Sequence, residues 1–114
     1  MDYALVFKWT KPIAGREAKA LEVLGDVTTF FSKLAVEGKI GEPLVLTQVN
    51  DGMMIVPGEM ASLFEITNSD EFITLIDKSM FVAEDFRFDG YFIHEGMARR
   101  MALYAEAGRE LAYL

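Results

Sequence analysis

The run Leu44-Val45-Leu46-Thr47-Gln48-Val49, followed by Asn50-Asp51-Gly52 and then by Met53-Met54-Ile55-Val56, decides how the rest of the chain is read. Two short stretches rich in β-branched and apolar residues flank three residues that tolerate the positive φ of a tight turn, and Pro57-Gly58 closes the second stretch. This is the composition of a β-hairpin, so two neighbouring antiparallel strands are expected in the middle of the chain.

Upstream, the spacing predicts a helix from about Arg16. Ala18, Leu21, Leu24, Thr28, Phe31 and Ala35 recur on one helical stripe, widened by Val27, Phe30 and Leu34. Gly38, after Glu37, can take the left-handed cap. Before the helix, Lys11-Pro12-Ile13-Ala14-Gly15 interrupts a first strand over residues 3 to 10. That strand sets Tyr3, Leu5, Phe7 and Trp9 on one face and Ala4, Val6, Lys8 and Thr10 on the other.

Downstream, Leu63 and Ile66 lie three apart, which favours a short helix over residues 59 to 68 against an extended strand. Ser69 is a good N-cap, and Asp70 and Glu71 fall in the first turn, where the helix dipole favours negative charge. Phe72, Ile73, Leu75, Ile76 and Met80 are the expected apolar face of the helix that follows. A last strand is expected from Asp85 to Glu95. It carries Phe86, Phe88, Phe92 and His94 on one side and Arg87, Asp89, Tyr91, Ile93 and Glu95 on the other, with Gly90 marking a bulge or a close approach. Gly96 ends it. Met97 to Leu114 then read as an amphipathic helix burying Met101, Tyr104, Ala105, Gly108, Leu111 and Ala112.

The order strand, helix, strand, strand, helix, strand, helix matches, in its first six elements, the split βαβ arrangement of the ferredoxin-like fold. The expected class is α+β: one domain over residues 1 to 114, with a ferredoxin-like βαββαβ sandwich, an antiparallel sheet and a C-terminal helix. Helices on one face would leave the other wet, and each strand should then alternate apolar and polar. The strands do not: Ala4 and Val6 occupy the lesser face of the first, and the third is Met-Met-Ile-Val. Both faces read as buried, which predicts that two copies pack sheet against sheet, with the C-terminal helix long enough to brace the pair.

Composition agrees. Hydrophobic residues make up 52%, with nine Phe, four Tyr, one Trp and seven Met, and a small domain can hide such a share most readily against a partner. No cysteine is present, which excludes disulfides, thiolate chemistry and Cys-based zinc or iron–sulfur sites. A formal charge of −7 argues against a phosphate-backbone ligand, so no nucleic-acid partner is expected. The N-terminal run Met1 to Lys8 has neither a basic leader nor the length of a membrane span; no membrane partner is expected, and a cytoplasmic protein is.

The segments Gly52-Met53-Met54-Ile55-Val56-Pro57-Gly58-Glu59, Ser69-Asp70-Glu71-Phe72 and Tyr91-Phe92-Ile93-His94-Glu95-Gly96 together resemble the dimeric α/β-barrel superfamily of ferredoxin-like proteins, including its YCII-related and uncharacterised members. The resemblance covers most of the chain. It implies the fold, a homodimer, and a cleft between each sheet and its helices. The superfamily ranges from cofactor-free monooxygenases and isomerases to proteins without known activity, so the fold does not give the function. YCII-related proteins carry a His–Asp pair early in the chain as their catalytic unit. Here no His precedes His94, and no catalytic residue is carried over.

Among individual residues, His94 is the only histidine and the candidate acid or base, set against a structural role at a strand end. Trp9 and Tyr91 are candidate ligand-binding residues, offering an N–H and an O–H from aromatic walls, set against plain core or interface packing. Arg87, beside Asp89, is a candidate for holding an anionic ligand, set against an exposed charged pair. Asp70-Glu71 and Glu84-Asp85 are adjacent carboxylates that diverge, so no metal site is expected, and no cofactor. The expectation is a homodimer that binds a small apolar or carboxylated molecule between sheet and helices. The alternative is a cofactor-independent enzyme of the monooxygenase or isomerase kind with His94 as acid or base.

Overall fold

The computed structural model describes all residues from Met1 to Leu114. Its elements run β1 (Tyr3–Trp9), α1 (Glu17–Val36), β2 (Leu44–Thr47), β3 (Gly52–Gly58), α2 (Met60–Thr67), α3 (Asp70–Val82), β4 (Arg87–Phe92) and α4 (His94–Glu110). The strands form one antiparallel sheet in the order β2-β3-β1-β4. This is the α+β ferredoxin-like fold, with α4 added after the last strand.

Strand alternation turns the sequence pattern into two sheet faces. Tyr3, Leu5, Phe7 and Trp9 of β1 share a face with Gly52, Met54 and Val56 of β3 and Phe88 and Phe92 of β4, through the registers Phe7↔Met54 and Phe7↔Phe88. Helices α1 and α3 cover this face, and the core of Leu5, Phe7, Val27, Phe31, Met54, Val56, Leu63 and Phe72 lies between. Phe7 sits at its centre, with the rings of Phe31, Phe72 and Phe88 all within 6.2 Å of its own. The other face carries Ala4, Val6 and Lys8, then Met53, Ile55 and Pro57, then Leu44 and Leu46, then Arg87, Asp89 and Tyr91. Within one chain this second face is only half-buried at Met53, Ile55 and Pro57 and exposed at Leu44 and Leu46.

The helices follow their local signals. Gly38 takes φ +77° after α1, and Lys39 N–H donates back to the Leu34 carbonyl, closing the helix with the expected left-handed cap. The Ser69 hydroxyl oxygen accepts from Phe72 N–H at 3.2 Å, capping α3. Residues 60 to 67 are helical, as the Leu63–Ile66 spacing predicts. The stripes are rotated from expectation: α1 buries Val23, Val27 and Phe31 while Leu21 is exposed, and α3 buries Phe72, Leu75, Ile76, Ser79 and Val82 while Ile73 and Met80 are exposed. Apolar residues nearly encircle both helices, so only the sheet's position chooses the face.

Three expectations are corrected. The hairpin strands are Leu44–Thr47 and Gly52–Gly58 rather than 44 to 49 and 53 to 56, because the turn closes earlier, through a hydrogen bond from Gln48 N–H to the Asp51 carbonyl. The last strand runs from Arg87 to Phe92, not from Asp85 to Glu95. His94 takes φ +47° and opens α4, because Gly96 N–H donates to the Ile93 carbonyl and Glu95 sits in the first turn. His94 and Glu95 are therefore helix residues, and Gly96 lies inside the helix, where any Cβ would collide with the Asp2 carbonyl. Third, α4 does not bury its stripe in this chain: Met97, Met101, Tyr104 and Leu111 are each more than half exposed. Gly90 forms no bulge, since β1 and β4 stay in register through Leu5↔Gly90, but the Tyr3 phenol lies so close over it that a Cβ could not fit.

Candidate functional site

A cavity of about 270 Å³ opens between the sheet and helices α1 and α3. Its walls are Phe7 and Met54 from the sheet, Val23, Leu24 and Val27 from α1, and Ile76 and Val82 from α3. The one buried hydroxyl there, Ser79, donates to the Leu75 carbonyl at 2.8 Å, and no buried side-chain polar atom of the chain lacks a partner. The inner wall therefore offers a ligand packing and nothing to hydrogen-bond, which selects an apolar body.

The cavity adjoins a wider, open cleft of about 900 Å³ at the same end of the sheet. Trp9, Thr10, Thr47, Gln48, Asp51 and Phe86 belong to both. Trp9 can stand there because its strand partner is Gly52: the indole lies across that glycine, and a Cβ on residue 52 would come within 2.5 Å of Nε1. Around the shared rim, Gln48 Nε2 donates to Asp51 Oδ1 at 2.6 Å and the Thr10 hydroxyl donates to Asp85 Oδ2 at 3.0 Å, so both carboxylates are already engaged. Asp85 itself holds φ +54°, a conformation that costs a non-glycine residue energy and that clusters at ligand sites.

The cleft's cations come from neighbouring strands. Lys8 and Arg87 face each other across β1 and β4 on the open side of the sheet, and both line the cleft. Like charges in directly opposed positions destabilise a sheet. None of the five ion pairs of the chain includes either residue. Arg87 and Asp89 do share a face, but Asp89 opposes Val6 and makes no ion pair with Arg87. The pairing with Lys8 was invisible in the sequence, because residues 8 and 87 meet only through the strand order. The parts played by Gly52 and Phe86 left no sequence signal either.

The four singled-out residues thus separate. Trp9 and Arg87 meet at the cleft. Tyr91 lies toward the other end of the sheet, opposite Ala4 on the open face and 43% exposed. His94 lies farther still, at the Tyr3 end of β1, about 20 Å along the strand from Trp9 at roughly 3.3 Å per residue. There its Nδ1–H donates to the Met1 carbonyl at 3.2 Å, and neither cavity includes it. Beside it the Met1 ammonium pairs with Glu95 at 2.9 Å and Glu59 at 3.3 Å. The hydrogen bond to Glu95 is the main cause that raises the ammonium pKa, and the same bond is the main cause that lowers that of Glu95. This cluster fastens the chain start to α4.

No family model and no curated protein matches the sequence. Solved structures do resemble it. A cofactor-independent oxygenase from Streptomyces nogalater, SnoaB, is 11% identical with a TM-score of 0.63, over 82% of this chain and 93% of its own. A dabb family protein with a ferredoxin-like fold from Mesorhizobium loti is 12% identical with a TM-score of 0.60, over 82% of this chain and 99% of its own. A dimeric protein of unknown function and ferredoxin-like fold from Bacteroides fragilis is 10% identical with a TM-score of 0.53, over 80% of this chain and 96% of its own. At such identity the likeness is one of fold. No helix of the chain is long and apolar enough to cross a membrane.

Proposed function

We propose that this chain is a small-molecule binding protein, that its ligand has an apolar body and an acidic group, and that it works as a homodimer. The observation that carries the ligand reading is the wall that the two cavities share at Trp9: an apolar chamber of about 270 Å³ on the helix side of the sheet adjoins a cleft edged on the open side by Lys8 and Arg87, mutually opposed cations without an ion pair. An anion between them would relieve their repulsion, and Arg suits a carboxylate bidentately. The body of the ligand would replace water against Phe7, Leu24, Val27 and Ile76.

Trp9 is the only tryptophan, so its emission reports on both cavities directly. Titration with octanoate is expected to shift Trp9 emission saturably, and 1-octanol, of the same length without the charge, to bind several-fold more weakly. Lys8→Met with Arg87→Met should bring octanoate down to the level of octanol. Absence of any saturable change with octanoate into the millimolar range overturns the reading.

The pairing of copies draws support from the open sheet face, where Leu44, Leu46, Met53 and Ile55 lie together with no layer over them, and from the dimeric state of the Bacteroides fragilis neighbour. The enzymatic alternative would place His94 in catalysis. Its position outside both cavities of its own chain gives that reading no support, and the fold shared with an oxygenase is common ground for either.

A further inference from the structure

The chain exposes more surface than its size allows a finished molecule. A monomer of 12.8 kDa is expected to present about 6,300 Å², and this one presents 7568 Å², an excess of about 1,300 Å². Its radius of gyration is 16.6 Å, where about 13 Å suits 114 residues, and its long axis spans 55 Å against 31 and 24 Å. One element accounts for this. Helix α4 is fastened at its first turn, by Gly96 against the Asp2 carbonyl and by Glu95 on the Met1 ammonium, and its main packing against the rest of the fold is on β4. Along it Met97, Met101, Tyr104 and Leu111 fall within one 80° sector at 100° per residue, all facing solvent.

The same chain holds a second uncovered apolar element. Strand β2, Leu44–Thr47, is an edge strand with no charged residue, and each of its residues is exposed. Long or apolar edges invite unwanted pairing, and one common remedy is to lay a helix over them. We infer that α4 is an arm exchanged between two copies, the α4 of each lying along the β2 edge of the other. The inference rests on the sheet-face pairing proposed above. The strand order β2-β3-β1-β4 makes the exchange geometrically direct: a two-fold axis between the sheets and parallel to the strands sets β4 of one copy over β2 of the other. Helix α4 leaves β4 at the Tyr3↔Phe92 end, and Leu44, the first residue of β2, lies level with Val6, about 10 Å in from that end at roughly 3.3 Å per residue and within the roughly 25 Å length of α4. The excess surface also fits, since a specific dimer covers about 800 Å² per partner. Charge does not oppose it: residues 94 to 114 carry three Arg and three Glu, so the arm is formally neutral and adds nothing to the −7 that the body holds.

The test is sedimentation equilibrium of the full chain with hydrogen exchange on the same samples. Wild type is expected at 25.6 kDa, twice 12.8 kDa; a monomer at every concentration overturns both the arm and the sheet pairing. Met101→Glu with Tyr104→Glu alters side chains that are exposed in the single chain, so its fold, checked by circular dichroism, should survive while pairing weakens roughly 100-fold. A dimer of unchanged strength in that variant overturns the arm and leaves the sheet pairing standing. In wild type, amides of residues 98 to 110 and of Leu44 to Thr47 should slow together as concentration rises. Slowing of β2 without α4, or of α4 without β2, overturns the exchange.

Discussion

Gly52→Ala tests the geometry of the candidate site most sharply, because it adds one methyl group at a position with no other burden. Gly52 is not at positive φ, so alanine meets no backbone strain, and the whole effect is steric. The added Cβ would lie 2.4 Å from Trp9 Cε2 and Cζ2, and ordinary contact begins near 3.4 Å, so the indole has to move by about 1.0 Å. Overpacking of this kind costs about 1–3 kcal/mol. Against a total stability of roughly 6–17 kcal/mol for a chain of this length, that is a large fraction. Thermal unfolding should drop by roughly 4–15 °C. Because the ring lines both cavities, the Trp9 emission maximum should shift in the folded state and octanoate should bind more weakly. A cycle with Trp9→Leu isolates the cause: once the indole is gone, Gly52→Ala should cost less than about 0.5 kcal/mol, the remainder being coupling between the two residues. Equal costs with and without the indole would refute the argument, since the glycine would then matter for something other than the ring above it.

Ser69→Ala removes the hydroxyl that accepts from Phe72 N–H, and should lower stability by about 1 kcal/mol, read as a fall in Tm of about 4 °C, with Ser69→Asp restoring most of it. The Met1–Glu95 pair gives a pH window. The ammonium pKa is raised, so its share of the anchoring is complete below the ordinary amine value of 8.0 and is lost as pH rises through the higher folded value. The Glu95 pKa is lowered, so its share is complete above the ordinary carboxylate value of 4.5 and is lost as pH falls through the lower folded value. Anchoring by this pair should therefore hold between those limits and weaken outside them, read as the exchange protection factor of the Gly96 amide, which bonds the Ile93 carbonyl. Acetylating the amine should raise the Glu95 pKa toward its ordinary value, leaving the smaller lowering by its own backbone hydrogen bond, and a carboxylate that titrates normally with the amine free contradicts the pairing.

Much of the fold was legible because its signals are local. Ser69 caps a helix through its own third neighbour, Gly38 closes α1 from within five residues, and the alternation of Tyr3, Leu5, Phe7 and Trp9 needs only a pleat. The errors fell where two local signals competed. Phe92, Ile93 and His94 continue a strand-like pattern, yet the turn closed by Gly96 N–H on the Ile93 carbonyl, with Glu95 in the first turn, starts the helix at His94. The stripes of α1 and α3 were offset for a related reason: Leu21 and Leu24, or Ile73 and Ile76, are equally apolar, and burial on one side is settled by what the helix lands on.

The candidate site divides in the same way. Trp9 and Arg87 could be singled out by chemistry alone, as an indole on an apolar strand and a guanidinium among acids. That Arg87 faces Lys8, that Trp9 lies over Gly52, and that His94 stands about 20 Å along the strand from Trp9 all depend on strand order and register, which join residues far apart in the chain. By itself the sequence determined the elements, the two apolar sheet faces and the surplus of hydrophobic surface, since these follow from side-chain period and composition. Only the tertiary structure decided which residues meet at a cavity and which apolar stripe is left uncovered, because both are properties of pairs of elements, and no local pattern encodes a pair.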